Sequence, residues 1–221
     1  MIKLVVFDWN GTILSDTIAC VLADNKVLSK LGLGKLTVKK YQETFDVPVL
    51  KFFEANGLKP ELFWKNIDLI YETFHSNYEE KAKNCRTRAG TRELLEWLQK
   101  NKIKAVILSN HTVENIEEHL KRLKINEFFQ KVLANDSKKT ALQNKKKWLQ
   151  NFLRETHFKK SEVLVVGDGP EEIEIAKKLG AKSVALSQGA FSTKRLRKAR
   201  PDFLVHNLKE VSRIIRGLNK R

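Results

Sequence analysis

Lys3-Leu-Val-Val-Phe-Asp8-Trp-Asn-Gly-Thr12 is the stretch that decides the fold. Leu4-Val5-Val6-Phe7 is a short run of β-branched and aromatic residues, which reads as a buried strand. Asn10-Gly11 is a turn signal that stops it. The run therefore predicts a strand over 3–8 with the carboxylate of Asp8 at its C-terminal end. In open α/β sheets that end is where ligands bind. A second strand end of the same kind comes far downstream, in Val163-Leu-Val-Val-Gly167-Asp168-Gly169. Two carboxylates on two strand ends, each beside glycine, can share one hard cation.

Working outward, the spacing predicts further elements. Asp16–Leu31 carries an apolar helical stripe at Ile18, Val21, Leu22, Val27, Leu28 and Leu31, and Gly32 and Gly34 stop it. Helical spacing recurs over 37–45, 47–56, 60–66 and 67–83, with breaks at Pro48 and Pro60. Some 70 residues without a strand are too long for a loop in a compact domain, so this block reads as a helical insertion. Beyond it, helix and strand alternate. Helices are predicted over 90–101, 112–123, 146–156, 171–179 and 208–218. Strands are predicted over 103–108, 131–134, 163–166 and 183–186, with an edge strand at 203–205. Such alternation implies a parallel, doubly wound, Rossmann-like α/β sheet with helices on both faces. The core is expected to be 1–15 with 87–221, and the inserted helical domain 16–86.

Composition narrows the setting. At 221 residues the chain can bury a real core, and 42% hydrophobic content fits a globular protein. No stretch approaches the roughly 18 apolar residues of a membrane span. The N-terminus does not read as a signal peptide, and Cys20 and Cys85 form no redox or metal motif, so a cytoplasmic, reduced protein without membrane attachment is expected. The net charge of +16 reads first as a lysine-rich solvated surface. Nucleic acid is the alternative partner, with denser basic clusters at 138–147 and 194–200, neither interleaved with aromatics. The second cluster reads as a loop or a short surface helix.

In a parallel sheet the strand ends face one crevice. They collect Asp8 and Asn10, then Ser109 and Asn110 in Val106-Ile-Leu-Ser-Asn110, then Asp168 with Glu171, Glu172 and Glu174 on the following turn. Lys145, Lys146 and Lys147 precede the fourth long strand. A carboxylate is a usable nucleophile toward phosphorus. Asp8 and Asp168 offer hard oxygen ligands suited to Mg²⁺. Ser109 can hold phosphate oxygens, and a lysine sets a compact positive charge against the phosphate and Asp8. His75, His119, His157 and His206 show no metal-ligand spacing. His111 stands beside the second strand end as a candidate substrate contact. Trp9, Tyr71, Phe74 and Tyr78 read as packing residues.

In their order and spacing these motifs resemble the haloacid dehalogenase superfamily. The resemblance spans Asp8-Trp-Asn-Gly-Thr12, Leu108-Ser109-Asn110, a lysine ahead of the fourth strand and Val166-Gly167-Asp168-Gly-Pro-Glu-Glu172. The helical insertion is similar to the cap of the phosphoglycolate phosphatase-like branch. The resemblance implies a small phosphorylated substrate under a mobile cap, and an aspartyl-phosphate formed on Asp8. It implies Mg²⁺ held by Asp8, the main-chain carbonyl of Asn10 and Asp168, with Glu172 orienting a bound water. Thr12 would shape the turn, Ser109 and Asn110 would bind the phosphoryl group, and Lys145, with Lys147 as second choice, would be the site lysine. Dehalogenation fits less well, because the acidic motif after strand four argues for a cation.

One position departs from the pattern. The phosphatases usually carry an aspartate where this chain has Asn10, and that aspartate supplies general acid–base help worth ~10²–10⁴-fold. The departure leaves three expectations: slow turnover on good leaving groups, a proton supplied by His111 or a cap residue, or a protein that binds phosphate ligands or a partner without turnover. A nucleic-acid end phosphatase or binder is the further alternative that the charge supports.

Overall fold

In the computed structural model, which describes residues 1–136 and 145–220, β1 (Leu4–Phe7) lies in the middle of a six-stranded sheet. Every residue of β1 is fully buried, which is why the sequence there is apolar without alternation. Each such side chain contributes ~1.5–3 kcal/mol of transfer free energy. β1 pairs in parallel with β2 (Lys104–Thr112) on one side and β4 (Val163–Gly167) on the other. β3 (Phe129–Asn135) extends the first side, and β5 (Lys182–Leu186) and β6 (Phe203–Val205) the second. The order is β3-β2-β1-β4-β5-β6, so winding reverses between β1 and β4, and the crevice outside that reversal is where such sheets bind ligands.

Alternate residues of β1 point to opposite faces. Val5 and Phe7 join a core closed by α6 (Thr91–Lys100), α7 (Val113–Leu123) and α11 (Lys209–Asn219). Leu4 and Val6 join a second core closed by α8 (Lys145–Thr156) and α9 (Pro170–Leu179). The doubly wound α/β expectation holds.

Between β1 and β2 the chain forms α1 (Thr17–Lys30), α2 (Val38–Thr44), α3 (Val49–Ala55), α4 (Pro60–Lys65) and α5 (Ile67–Ala82). Gly32, at φ +72°, follows α1, and Pro60 opens α4 where its missing N–H costs nothing. The helices share an apolar cluster of their own around Val27, Leu28, Tyr41, Phe52, Phe53 and Phe63.

Two predicted boundaries shift in ways that matter. β2 runs on to Thr112, with its register against β3 breaking after Leu108, so Ser109 and Asn110 sit within the frayed end of the strand rather than after it. The basic run after 193 is a short helix, α10 (Thr193–Lys198), pinned by the buried Leu196. Most of the other basic cluster, 138–144, falls outside the described residues.

Candidate active site

The strand end at Asp8 is shaped by a tight turn. The carbonyl of Trp9 accepts from the N–H groups of Thr12, Ile13 and Leu14 at 3.3, 3.0 and 3.0 Å. Trp9 itself is fully buried in the core. Gly11 completes the turn at φ +71°, and a Cβ there would stand 2.1 Å from Asp168 Oδ2. Only glycine satisfies both demands. Gly189 presses on the same carboxylate from the loop after β5, where a Cβ would stand 2.0 Å from Oδ2. Asp168 is thus clamped between two glycines. Its Oδ2 accepts from the Ala190 N–H at 2.5 Å.

Asp8 is buried and its two oxygens have different partners. Oδ1 accepts from Lys145 Nζ at 2.8 Å, and Oδ2 accepts from Thr12 Oγ1 at 3.2 Å. Lys145 opens α8 and is itself buried, whereas Lys146 and Lys147 are exposed. Burial separates the three lysines: only Lys145 reaches the crevice. Lys145 also meets Glu172 Oε1 at 2.6 Å and Glu171 Oε2 at 3.2 Å. Glu172 is therefore the counter-ion of the lysine. The role expected for it at a metal-bound water stays an expectation, because the oxygen facing Lys145 is already committed.

Electrostatics follow from crowding. Asp8, Glu171 and Glu172 bring three carboxylates around one ammonium, and Asp168 adds a fourth negative group near Asp8. Burial pushes the Asp168 carboxyl well above its ordinary value, and the charge of Asp8 adds to the push. Burial lifts Asp8 as well, with Lys145 opposing. Glu172 is raised to about 7, mainly by burial, against the pull of Lys145. Burial alone would lower the Lys145 pKa, but Asp8, Glu172 and Glu171 overcome it and hold the ammonium well above its usual range. Such an excess of buried negative charge is relieved by a divalent cation. No three His, Cys, Asp or Glu side chains form a ready cage among the described residues. The ligands that the family resemblance implies for a cation are Asp8, Asp168 and the Asn10 carbonyl, with water. That is an all-oxygen set, and it fits Mg²⁺, which keeps several waters.

The second strand end supplies polar groups. Ser109 is buried, and its Oγ accepts from the His111 N–H at 3.1 Å. Asn110 Nδ2 donates to Glu171 Oε2 at 3.1 Å, its carbonyl accepts from Asn135 Nδ2 at 2.6 Å, and its buried Oδ1 has no protein donor among the described residues. His111 Nδ1 accepts from the Thr112 N–H at 2.7 Å, which puts the ring proton on Nε2, 3.5 Å from Glu79 Oε1 on α5.

Three features were not singled out from sequence. Arg88 donates to the carbonyls of Gly11, Gln188 and Ser187 at 2.9, 3.0 and 2.7 Å, tying the two loops that clamp Asp168. Asp16, read only as a helix start, is buried beside Asn10. Tyr78, read as packing, also places its hydroxyl there. No local signal marks Arg88 or the Tyr78 hydroxyl, since both act on groups far away in sequence.

The sequence pattern of one family covers residues 5–186, and its description is haloacid dehalogenase-like hydrolase. The chain belongs to the haloacid dehalogenase-like hydrolase family. Relatives extend over nearly its whole length. A phosphoglycolate phosphatase of Pseudomonas fluorescens is 27% identical over 94% of this chain and 77% of its own. A phosphoglycolate phosphatase of Synechococcus elongatus is 22% identical over 99% of this chain and 100% of its own. Among solved structures, a haloacid dehalogenase-like family hydrolase from Streptococcus pneumoniae superposes with a TM-score of 0.81 at 20% identity, covering 97% of this chain and 98% of its own. Family and relatives together indicate a phosphoric monoester hydrolase. In this family member the reversal point of the sheet is where Asp8, Lys145 and Asp168 meet.

Proposed function

We propose that the protein is a Mg²⁺-dependent phosphatase of a small phosphomonoester, acting through an aspartyl-phosphate on Asp8. The observation that carries this reading is Lys145 Nζ at 2.8 Å from Asp8 Oδ1, in the crevice that also holds Asp168. The lysine opposes the effect of burial on Asp8 and orients it, and its charge faces the incoming phosphoryl oxygens. An Asp8 oxygen forms the new bond to phosphorus while the bond from phosphorus to the leaving oxygen breaks. Water then attacks phosphorus, the Asp8–phosphorus bond breaks, and inorganic phosphate leaves with the carboxylate restored. Mg²⁺, held by Asp8, Asp168 and the Asn10 carbonyl, would supply charge neutralisation of the phosphoryl oxygens. Ser109 and Asn110 line the end of β2 and fit a role in holding those oxygens. The helices of residues 16–86 would serve as the cap, and the cytoplasm is the compartment that suits the chain. No helix among the described residues is long and apolar enough to cross a membrane.

Asn10 cannot pass a proton to a leaving alkoxide. The reading therefore favours leaving groups that depart without one, such as acyl and aryl phosphates. The test is hydrolysis of acetyl phosphate and an aryl phosphate with and without Mg²⁺. Hydrolysis that needs Mg²⁺ and disappears in Asp8→Asn supports the proposal. Wild type that binds phosphate but turns over neither substrate would move the reading to a phosphate-binding protein.

A further inference from the structure

Asn10 is not simply a missing acid. Its Nδ2 donates to Asp16 Oδ2 at 2.6 Å and to Tyr78 Oη at 2.7 Å. Tyr78 Oη donates to the same Asp16 oxygen at 2.6 Å, closing a three-membered ring of hydrogen bonds. The other Asp16 oxygen accepts from the Gly11 N–H at 2.7 Å. Asp16 and Tyr78 are both buried, at 1% and 2% exposure.

Donor arithmetic fixes the ring. An ionised carboxylate only accepts, and a tyrosine hydroxyl has one hydrogen. Tyr78 gives that hydrogen to Asp16, so it accepts from Asn10. The atom of Asn10 that faces both partners must therefore be the NH₂ group, and both of its hydrogens are used. An aspartate at position 10 has no hydrogen to offer. It would leave two carboxylates sharing the single hydrogen of Tyr78, with the Asp16 oxygen facing another acceptor.

The ring also joins distant parts of the chain. Asp16 stands where the chain enters α1, and Tyr78 lies near the end of α5. The two helices at which the insertion leaves and rejoins the sheet region are thus tied to the loop that carries Asp8.

We propose that Asn10 and Asp16 are a matched pair, with Asn10 a positioning residue that ties the Asp8 loop to α1 and α5 through Tyr78. A carboxylate at position 10 is accommodated only when position 16 becomes the amide. Exchanging the two residues keeps every donor of the ring facing an acceptor; outside the ring, only the weak contact of the Cys20 thiol with Asp16 Oδ2, at 3.9 Å, would lose its acceptor. The amide, now at position 16, would give its NH₂ to the carboxylate at position 10 and to Tyr78, and its oxygen would still accept from Gly11. The kinetic part of the proposal rests on the phosphatase reading; the pairing does not.

The experiment compares wild type, N10D, D16N, the N10D/D16N exchange and Y78F by urea unfolding midpoint and by kcat and KM on acetyl phosphate with Mg²⁺. Each single substitution at 10 or 16 is expected to lower the midpoint and to lower kcat by about tenfold, as loss of a buried hydrogen bond does. The exchange is expected to recover most of both losses. Y78F, which keeps the ring shape and loses only the hydroxyl, is expected to lower kcat with little change in KM. Midpoint losses that add in the exchange overturn the proposal, as does N10D alone gaining activity with an unchanged midpoint. Non-additive midpoints in a set of proteins that are all inactive support the pair and remove the phosphatase reading instead.

Discussion

Asp8 and Asp16 lie on either side of one tight turn, both buried, and the fold treats them in opposite ways. Asp8 is met by a cation, Lys145, and by a hydroxyl. Asp16 is met by neutral donors: an amide, a phenol, a backbone N–H and, at 3.9 Å, the Cys20 thiol. A cation beside a carboxylate favours its charged form against burial. A ring of neutral donors consumes its lone pairs and leaves it nothing to do but hold the turn. The difference teaches that burial alone does not mark a reactive carboxylate; the partner set does.

The largest effect should come from breaking the charged side. Lys145→Met would leave Asp8 and Glu172 buried without their cation. Stability should fall by about 3–5 kcal/mol, as when one member of a buried pair is removed. Hydrolysis should fall with it, and urea unfolding beside steady-state rates checks both. A destabilisation below about 1 kcal/mol, a third or less of what losing a buried pair costs, would show that the lysine is not the centre of the cluster.

The comparison sharpens with a third buried carboxylate that has neither partner set. Asp24 on α1 is 5% exposed and has no hydrogen bond or ion pair among the described residues. Burial raises it from 3.8 to about 8. A carboxyl raised on folding contributes stability that is present below its unfolded pKa and is lost as pH rises through the folded one. Stability should therefore decline between about pH 4 and pH 8, by an amount on the order of a few kcal/mol. Asp24→Asn should flatten that slope and raise the thermal midpoint at about pH 8, where the native carboxyl is half charged. An unchanged slope would refute the account of Asp24.

A smaller effect tests the clamp. Gly189→Ala would push a methyl into Asp168 without a φ problem at that position. It should cost ~1–3 kcal/mol, the range for overpacking, and should raise the Mg²⁺ concentration needed for half-maximal hydrolysis. A Mg²⁺ titration that matches wild type would show that Asp168 has room to move.

Much of this was legible in the sequence, for reasons that differ by residue. Leu4–Phe7 announced a central strand because burial on both faces forbids polar residues there. Asp8 and Asp168 were visible because a carboxylate ending an apolar run is conspicuous, and the family resemblance placed Ser109, Asn110 and Thr12 beside them. Lys145 was the first choice in a run of three lysines, with Lys147 second, and it is the one that the phase of α8 turns inward. Asn10 was noticed as a departure, but its partners were not, because Asp16 looks like any helix start and Tyr78 like any packed aromatic. Arg88 was invisible, since its bonds are to main-chain carbonyls that no side-chain pattern encodes. The strand end at Ser109 was misplaced by a few residues because a register break is a property of the pairing with β3, not of the strand itself.

Of the two buried aspartates at the turn, Asp8 and not Asp16 should carry the phosphoryl group. The most direct measurement is acid quenching of the enzyme during turnover of acetyl phosphate with Mg²⁺, followed by peptide mass spectrometry. A phosphoryl adduct on Asp8, absent from Asp8→Asn, is the result expected. Continued hydrolysis by Asp8→Asn, or an adduct on Asp16, would contradict the account.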